Sequence, residues 1–131
     1  HDPVDKKSLS GLISSANLGL QTLSNIPAFY YGTSPNKFFD YIAGGLPVLN
    51  NYPGWIADII TETNSGYVVP PEDPKAFADI LEEAASNHED LLFKSKNAKK
   101  IAIEKFNRKN QSLNWVMVLE KIYNETKAKI N

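Results

Sequence analysis

Three short, mostly apolar runs alternate with segments of helical periodicity, and this alternation constrains the fold more than any other feature of the sequence. The runs cover residues 18–23, 46–50 and 67–69, and turn-forming residues or helical patterns separate them. Strand–helix alternation of this kind predicts a parallel sheet with crossover helices. Short apolar strands are typical of a sheet that is covered on both faces. We therefore predict an α/β fold with about three parallel strands, crossover helices and a helical C-terminal tail.

Local signals mark the helices of the first half. Residues 5–16 carry apolar side chains at helical spacing, so a helix also opens the chain. Residues 24–33 form a predicted loop. Ser34 and Pro35 then predict a capped helix start with proline at the first helical position. Gly44 predicts the end of that helix, because glycine commonly follows the last helical turn.

The second half continues the alternation and then becomes wholly helical. A helix is predicted over residues 55–63, and Asp73 can cap the next one with Pro74 at its first position. From His88 onward the apolar residues follow helical spacing. No internal repeat or low-complexity linker interrupts the sequence, so residues 1–131 are predicted to form a single unit.

Composition excludes several classes of protein and site. The chain has no cysteine, which excludes disulfides, thiolate metal sites and a cysteine nucleophile. No apolar run approaches the roughly 18 uncharged residues that a membrane span requires, and no secretory signal peptide is visible. His1 and His88 are too isolated to form a metal site. We therefore expect no protein-bound metal.

Charge is distributed unevenly along the chain. Residues 1–87 hold 4 basic residues against 10 acidic ones, whereas residues 88–131 hold 10 basic residues against 5 acidic ones. A basic helical tail suits a nucleic acid or an anionic lipid surface. However, lysines interleaved with alanine and isoleucine at helical spacing are typical of the solvated face of a surface helix. We favour the solvated face and expect no nucleic-acid partner.

The start of the helix after residues 24–33 is the candidate ligand site. Ligands of parallel α/β folds gather where strands end and helices begin, and a helix N-terminus favours an anion such as phosphate. Lys37 lies in the first turn, where an anionic ligand would justify a cation, and the Asp40 carboxylate could accept hydrogen bonds from sugar hydroxyls. The alternative is a capped helix with an ordinary surface lysine and aspartate. The predicted binding residues are Thr33, Ser34, Pro35, Asn36, Lys37 and Asp40.

Residues 34–48, with the sequence SPNKFFDYIAGGLPV, resemble the donor-binding motif of nucleotide-sugar glycosyltransferases. The resemblance is to the GT-B-fold enzymes of retaining family 4, especially the bacterial ones that build cell-surface polysaccharides. Residues 65–74, SGYVVPPEDP, resemble a strand and helix start of the same family. Asn114 and Trp115 resemble the tail that crosses back to the other domain. The resemblance covers roughly residues 9–123.

The resemblance implies a partial Rossmann-like fold and a hexosyltransferase-like parent enzyme that uses a UDP- or GDP-type sugar donor, with no cofactor and no metal. Backbone amides around Ser34, Pro35 and Asn36 would hold the diphosphate, with Lys37 near it. Asp40 matches the acid expected to hold the ribose hydroxyls. Gly32 stands where the family's first acid would fall. This departure removes one carboxylate partner for the sugar and leaves the identity of the sugar open.

The resemblance also implies that the chain is the latter part of the nucleotide-sugar-binding domain, beside a missing N-terminal domain or a partner chain. The missing part would supply the basic residues that neutralise the leaving diphosphate, so we predict no catalytic residue here and no sugar transfer by the chain alone. The strand from Leu18 to Leu23 would be an unpaired edge, which favours a homodimer through that edge. The implied location is cytoplasmic, with any attachment to the inner face of the membrane carried by the parent protein.

Other interpretations stay open at this point. The same helix start would also serve a non-catalytic α/β interaction module that binds another phosphate or nucleotide. The aromatic run over residues 29–31 either walls the nucleotide base or packs within its loop. Trp55 either packs at the start of its helix or faces an acceptor.

Overall fold

The structure of the chain, a computed structural model, describes residues 2–130. The expectation that His1 takes no part in a metal site lies outside the described residues. Helices and strands alternate along the described part. They are, in chain order, α1 (Lys6–Ser15), β1 (Gly19–Gln21), α2 (Pro27–Gly32), α3 (Asn36–Gly44), β2 (Val48–Asn50), α4 (Trp55–Thr63), β3 (Gly66–Val68), α5 (Pro74–Ser86), α6 (His88–Glu104) and α7 (Arg108–Ile130).

The strands form one parallel sheet in the order β1-β2-β3, which confirms the predicted α/β fold. In the register, Gly19 of β1 lies opposite Val48 of β2, and Val48 lies opposite Gly66 of β3. Each strand has 3 residues. The apolar runs over residues 18–23 and 46–50 are therefore longer than the strands they contain. The second run begins before its strand because Pro47 has no N–H for a ladder, and Pro70 ends the third run.

Helices cover both faces of the sheet. Val48 and Leu49 are neighbours in β2 and enter different hydrophobic clusters, because alternate residues of a strand point to opposite faces. The first cluster is formed by Phe38, Ile42, Val48, Ile56, Ile60, Ala98 and Ile101. The second is formed by Leu49, Tyr67, Val69, Ala84 and Leu91. Since α6 contributes to both clusters, it ties the two layers together.

Several predicted helix bounds are confirmed. α3 ends at Gly44, and Gly45 follows with a φ of 79°, a left-handed conformation that glycine tolerates without steric cost. α4 covers the residues predicted for it. At the start of α5, Pro74 is the first helical residue and the Asp73 carboxylate accepts a hydrogen bond from the N–H of Ala76 at 2.8 Å. Local capping signals therefore predicted these bounds correctly.

The loop predicted over residues 24–33 is wrong in part, because it contains α2. Pro27 supplies the fixed φ of a first helical turn. Tyr30 anchors the helix by stacking on Tyr52, with the ring centroids 6.4 Å apart. A helix of 6 residues shows too little periodicity to be recognised in the sequence, so a distant contact decides its conformation.

α6 crosses the amino ends of the strands and holds the ends of two other helices. Ser95 Oγ donates to the carbonyl of Gly45, 2.7 Å away, where α3 ends. Lys94 Nζ donates to Oδ1 of Asn64, the residue that ends α4. Gly45 and Asn64 lead into β2 and β3 respectively. α6 therefore lies at the pole of the fold opposite the carboxyl ends of the strands.

α7 is apolar in its middle yet exposed. Large apolar side chains between Leu113 and Tyr123 are each between 49% and 66% exposed. A helical stretch that is apolar on all sides is normally buried, so the run from Trp115 to Leu119 has the composition of a covered segment, whereas both ends of α7 are polar. Within residues 2–130, no helix combines the length and the apolar character needed to cross a membrane. The exposed side chains are Leu113, Trp115, Val116, Met117, Val118, Leu119, Ile122 and Tyr123.

β1 lies at one border of the sheet. No strand of the described part pairs with its outer edge, and Leu20 is 42% exposed. Beyond the strand, the side chain of Asn51 exchanges hydrogen bonds with the backbone of Leu23, at 2.8 and 3.0 Å. The strand is Gly19–Gln21 rather than the longer stretch from Leu18 to Leu23. Pairing of this edge with a second copy or a partner chain stays a prediction.

Candidate functional site

Two loops meet at the carboxyl edge of the sheet. β1 leads into α2 and then α3, and β2 leads through residues 51–54 into α4. Ligands of parallel α/β folds bind at this edge, where helix N-termini lie. Five of the predicted site residues lie together here, at the junction of α2 and α3: Thr33, Ser34, Pro35, Asn36 and Lys37.

The start of α3 differs from the prediction in one respect. Pro35, not Ser34, occupies the capping position, and α3 begins at Asn36. Proline has no side-chain group that accepts a hydrogen bond, so no side chain caps this helix. Within the described residues, the backbone N–H groups of Asn36 and Lys37 have no acceptor. α3 therefore offers unpaired donors and the positive end of its dipole to an anion.

Trp55 joins the two loops. It is the first residue of α4, and its indole Nε1–H donates to the carbonyl of Thr33 at 3.0 Å. Its ring packs against Phe38 and Phe39, with centroids 6.3 and 6.2 Å away. Packing at the start of its helix is thus the arrangement observed. Trp55 fixes Thr33 beside the uncapped turn, so the turn is positioned by a contact from another helix.

A buried pair of tyrosines anchors the same edge. Tyr52 is 1% exposed and stacks on Tyr30, whose hydroxyl donates to Oδ1 of Asn25. Gly54 has a φ of 117°, and a Cβ there would lie 2.3 Å from the carbonyl oxygen of Tyr30. Only glycine therefore allows α2 to approach this closely. Burial raises the pKa of the Tyr52 phenol, which stays protonated at neutral pH.

Two buried amides behind the tyrosines were not predicted. Gln21 and Asn50 are both 0% exposed and lie opposite each other in β1 and β2. Gln21 Nε2 donates to the hydroxyl of Tyr52 at 2.9 Å, and Asn50 Nδ2 donates to the carbonyl of Tyr52. Their side-chain oxygens have no partner among the described residues. The sequence offered one signal for these amides: Gln21 lies within the apolar run 18–23, and Asn50 ends the apolar run 46–50.

Lys37 and Asp40 are neighbours on the surface of α3. Lys37 is exposed in the first turn, next to the unpaired N–H groups. The Asp40 carboxylate lies 3.7 Å from Lys6 Nζ of α1. The side chains of this pair are 89% and 34% exposed for Lys6 and Asp40, so solvent screens the interaction. Asp40 thus lies one turn from the other predicted residues and is turned toward α1, where it lines a groove of about 350 Å³.

In the aromatic run over residues 29–31, the middle ring is buried and the outer two rings are exposed. Tyr30 is buried against Tyr52, which is the loop-packing interpretation. Phe29 is 47% exposed and Tyr31 is 75% exposed. The outer two rings are therefore accessible to a ligand at this edge, whereas the middle ring is part of the scaffold.

The chemistry assembled at this edge is that of anion binding. Its donors are the backbone N–H groups of Asn36 and Lys37, the Lys37 ammonium and the Ser34 hydroxyl. A phosphate oxygen can accept from each of them. In the part of the chain that the structure describes, no three His, Cys, Asp or Glu side chains gather as metal ligands would.

Comparisons with known proteins show the fold. No protein-family model matches the chain, and no curated protein matches it. A solved structure of sucrose-phosphate synthase from Thermosynechococcus elongatus is similar to it, with a TM-score of 0.76 at 20% sequence identity. The similarity covers 93% of this chain and 29% of the synthase. The chain therefore has the fold of part of a GT-B glycosyltransferase and spans less than a third of that protein's length. This likeness shows neither retaining family 4 nor the polysaccharide type.

Proposed function

We propose that this chain is the donor-binding part of a glycosyltransferase whose donor is a UDP- or GDP-linked sugar. The observation that carries the proposal is the uncapped N-terminus of α3 at the carboxyl edge of the sheet. The motif over residues 34–48 begins at this same turn, and the fold is that of part of a sucrose-phosphate synthase. The acceptor would be a glycan or a lipid-linked acceptor, as in the polysaccharide-building enzymes that the motif resembles.

The donor diphosphate would lie against the first turn of α3. The N–H groups of Asn36 and Lys37 would donate to its oxygens, and the Lys37 ammonium adds a positive charge beside them. Pro35 contributes no N–H, but its backbone is extended, with φ of −74° and ψ of 126°. Trp55 holds Thr33 in place from the neighbouring loop.

Asp40 would accept hydrogen bonds from the two ribose hydroxyls. It follows Lys37 by three residues, so the two side chains are neighbours on the surface of α3. Its ion pair with Lys6 is largely exposed, so exchanging this partner for the ribose costs at most about 1 kcal/mol. Hydrogen bonds from hydroxyls to a carboxylate are stronger than that and would favour the exchange.

Sugar transfer would need more than this chain. Within the described residues, Lys37 is the one cationic side chain in the first turn of α3. Stabilising the charge of the departing diphosphate contributes most of the rate in reactions of this kind. The chain spans 29% of the synthase, and the remaining part would supply that stabilisation. We infer that the chain alone binds the donor without transferring its sugar, and turnover by the purified chain would contradict this.

A backbone amide NMR titration with UDP, with GDP and with inorganic phosphate tests the proposal. We expect one nucleotide to shift the amides of residues 33–40 at concentrations where phosphate does not. Asp40→Ala should weaken nucleotide binding about tenfold, because it removes charge-assisted hydrogen bonds to the ribose, and should leave phosphate binding unchanged.

Asp79→Ala is the matched control. Asp79 is also an exposed aspartate paired with a lysine, here Lys75 at 2.6 Å, but it lies on α5. It should leave nucleotide binding unchanged. Equal shifts with all three anions would instead support a general phosphate-binding module. Nucleotide binding that survives Asp40→Ala unchanged would remove the ribose role from Asp40.

A further inference from the structure

The solvent-facing side of α6 combines apolar side chains with lysines. Leu92, Phe93 and Ile103 are 49%, 52% and 56% exposed. Lys96 and Lys100 lie between them, and neither makes an ion pair within residues 2–130. Positions three, four and seven apart lie on one side of a helix, so these residues share a surface. We call it the α6 outer face, and its members are Leu92, Phe93, Lys96, Lys99, Lys100 and Ile103.

Contacts of α6 hold its outer face away from the first turn of α3, and Lys99 is the member that lines a groove shared with Asp40. Asn97 Nδ2 donates to the carbonyl of Asn64 at 3.0 Å, and Lys99 Nζ donates to the carbonyl of Ala43. Ala98, on the opposite side of α6, is 0% exposed in the core. These contacts fix α6 to the C-terminal ends of α3 and α4. A partner on the outer face would therefore leave the carboxyl edge of the sheet open to its ligand.

We propose that the α6 outer face docks on an anionic lipid bilayer. Leu92, Phe93 and Ile103 would enter the boundary between headgroups and acyl chains, and Lys96 and Lys100 would bind headgroup phosphates. Charge complementarity supports this partner, because the α6 outer face carries three lysines and no acidic residue among its members. The stems of Lys96 and Lys100 border a shallow hollow with Ile103, and their ammonium groups can extend outward to the headgroups.

The apolar side chains favour a bilayer over other anionic partners. Nucleic acid would pair with the lysines, but it gains little from aliphatic side chains, and Phe93 is the one aromatic ring on the α6 outer face available for stacking. Glu104 lines the edge of the same hollow and reduces the positive charge without cancelling it.

Vesicle co-sedimentation of the 131-residue chain tests the proposal. Vesicles of equal parts phosphatidylglycerol and phosphatidylcholine provide the anionic surface, and phosphatidylcholine alone provides the neutral one. We expect about tenfold tighter binding to the anionic vesicles, and about tenfold weaker binding after Lys96→Gln with Lys100→Gln. Lys7→Gln with Lys75→Gln removes the same charge from α1 and α5. This matched control should bind within about twofold of the unmodified chain.

A second set of variants tests the apolar contribution. Phe93→Ser should weaken the binding that persists at high salt, while circular dichroism shows an unchanged fold. Leu119→Ser makes an equivalent change on α7 and should leave the difference between the two vesicle types intact. The proposal is overturned if the double lysine variant binds like the unmodified chain, or if Leu119→Ser alone abolishes binding. It is also overturned if double-stranded DNA retains the chain more tightly than the anionic vesicles do.

Discussion

α3 and α5 both begin beside a proline, yet their first turns are in opposite states. In α5, Pro74 is the first helical residue, and the Asp73 carboxylate accepts the N–H of Ala76. In α3, Pro35 itself takes the capping position, and no side chain accepts a hydrogen bond from the first turn. α5 begins at its proline, whereas α3 begins one residue after its proline. As a result, a side chain accepts a hydrogen bond from the first turn of α5, whereas backbone N–H groups in the first turn of α3 have no acceptor within the described residues.

The difference between these two turns separates stability from binding. A capping carboxylate contributes about 1 kcal/mol and places negative charge where an anion would otherwise bind. α5 has this stabilisation, and its first turn has no free position for a phosphate. α3 lacks the cap, and the contact between Trp55 and Thr33 orders its start instead. Because a contact from another helix orders it, the first turn of α3 can keep unpaired N–H groups and still hold its conformation.

Giving α3 the cap that α5 has should produce the largest effect. Pro35→Asp supplies a carboxylate that accepts an N–H of the first turn and repels a diphosphate. We expect the free energy of unfolding to rise by about 1 kcal/mol and the affinity for UDP to fall about tenfold or more. Calorimetric titration and urea unfolding measure the two quantities.

Pro35→Ala is the control for that substitution, because it removes the ring without adding a charge. It should change UDP affinity by less than about twofold. If Pro35→Asp bound UDP as tightly as the unmodified chain, the first turn of α3 would not be where the diphosphate lies.

Removing the cap from α5 should affect stability alone. Asp73→Ala leaves the N–H of Ala76 without its acceptor, and we expect a loss of about 1 kcal/mol in the free energy of unfolding with UDP affinity unchanged. Asp79→Ala breaks only an exposed ion pair on the same helix and should cost a few tenths of a kcal/mol. Equal losses in urea unfolding from the two variants would show that Asp73 acts as a surface charge and not as a cap.

Loosening the external support of α3 should have a smaller effect on binding. Trp55→Phe keeps an aromatic ring in the cluster but removes the N–H that donates to Thr33. We expect UDP affinity to fall about threefold, because the loop before α3 is then less ordered in the free protein. Phe106→Leu disturbs packing in the same cluster, where Phe106 lies 6.4 Å from Phe38, without touching Thr33. It should lower the free energy of unfolding and leave UDP affinity unchanged.

The smallest expected effect is a difference in acid titration between α1, which has a carboxylate cap, and α3, which has no side-chain cap. The N–H of Ser8 donates to Asp5 Oδ1 at 2.7 Å, and this hydrogen bond lowers the pKa of Asp5. A lowered pKa in the folded state stabilises α1 above the ordinary aspartate pKa of about 3.9, and the stabilisation is lost as pH falls through the lower folded value. The amide shift of Ser8 should titrate in that window. The amides of Asn36 and Lys37 should show no such titration, and a shared titration would contradict the comparison.

Much of the fold was predictable because its signals are local. The Asp73–Pro74 pair and Gly45 act within one helical turn, so reading neighbours along the chain is sufficient. α2 was missed because Tyr30 is ordered by Tyr52, which is 22 residues away in the chain. The buried state of Gln21 was missed for the same reason, since its partner is again Tyr52.

At the candidate site, the position of the helix start was predictable from the sequence, whereas its detailed geometry was not; the binding role of these residues stays a prediction. Sequence selected the turn from Thr33 to Lys37, because a helix start after a strand is a local pattern. It could not show that Pro35 replaces Ser34 as the capping residue. Nor could it show that Asp40 faces Lys6, since that depends on how α1 packs against α3. Side-chain direction is a property of tertiary packing.

Hydrogen exchange should show α3 and α4 opening together, because α6 contacts the ends of both helices. Side chains of α6 donate to carbonyls at the ends of both helices, so α6 cannot detach without freeing those ends together. The hydrogen-bonded amides of α3, α4 and α6 should therefore exchange mainly through a shared, large-scale opening. α7, whose large apolar side chains from Leu113 to Tyr123 are all exposed, should exchange early by local opening. On heating, the C-terminal ends of α3 and α4, which α6 holds, should lose their order together and later than α7 does.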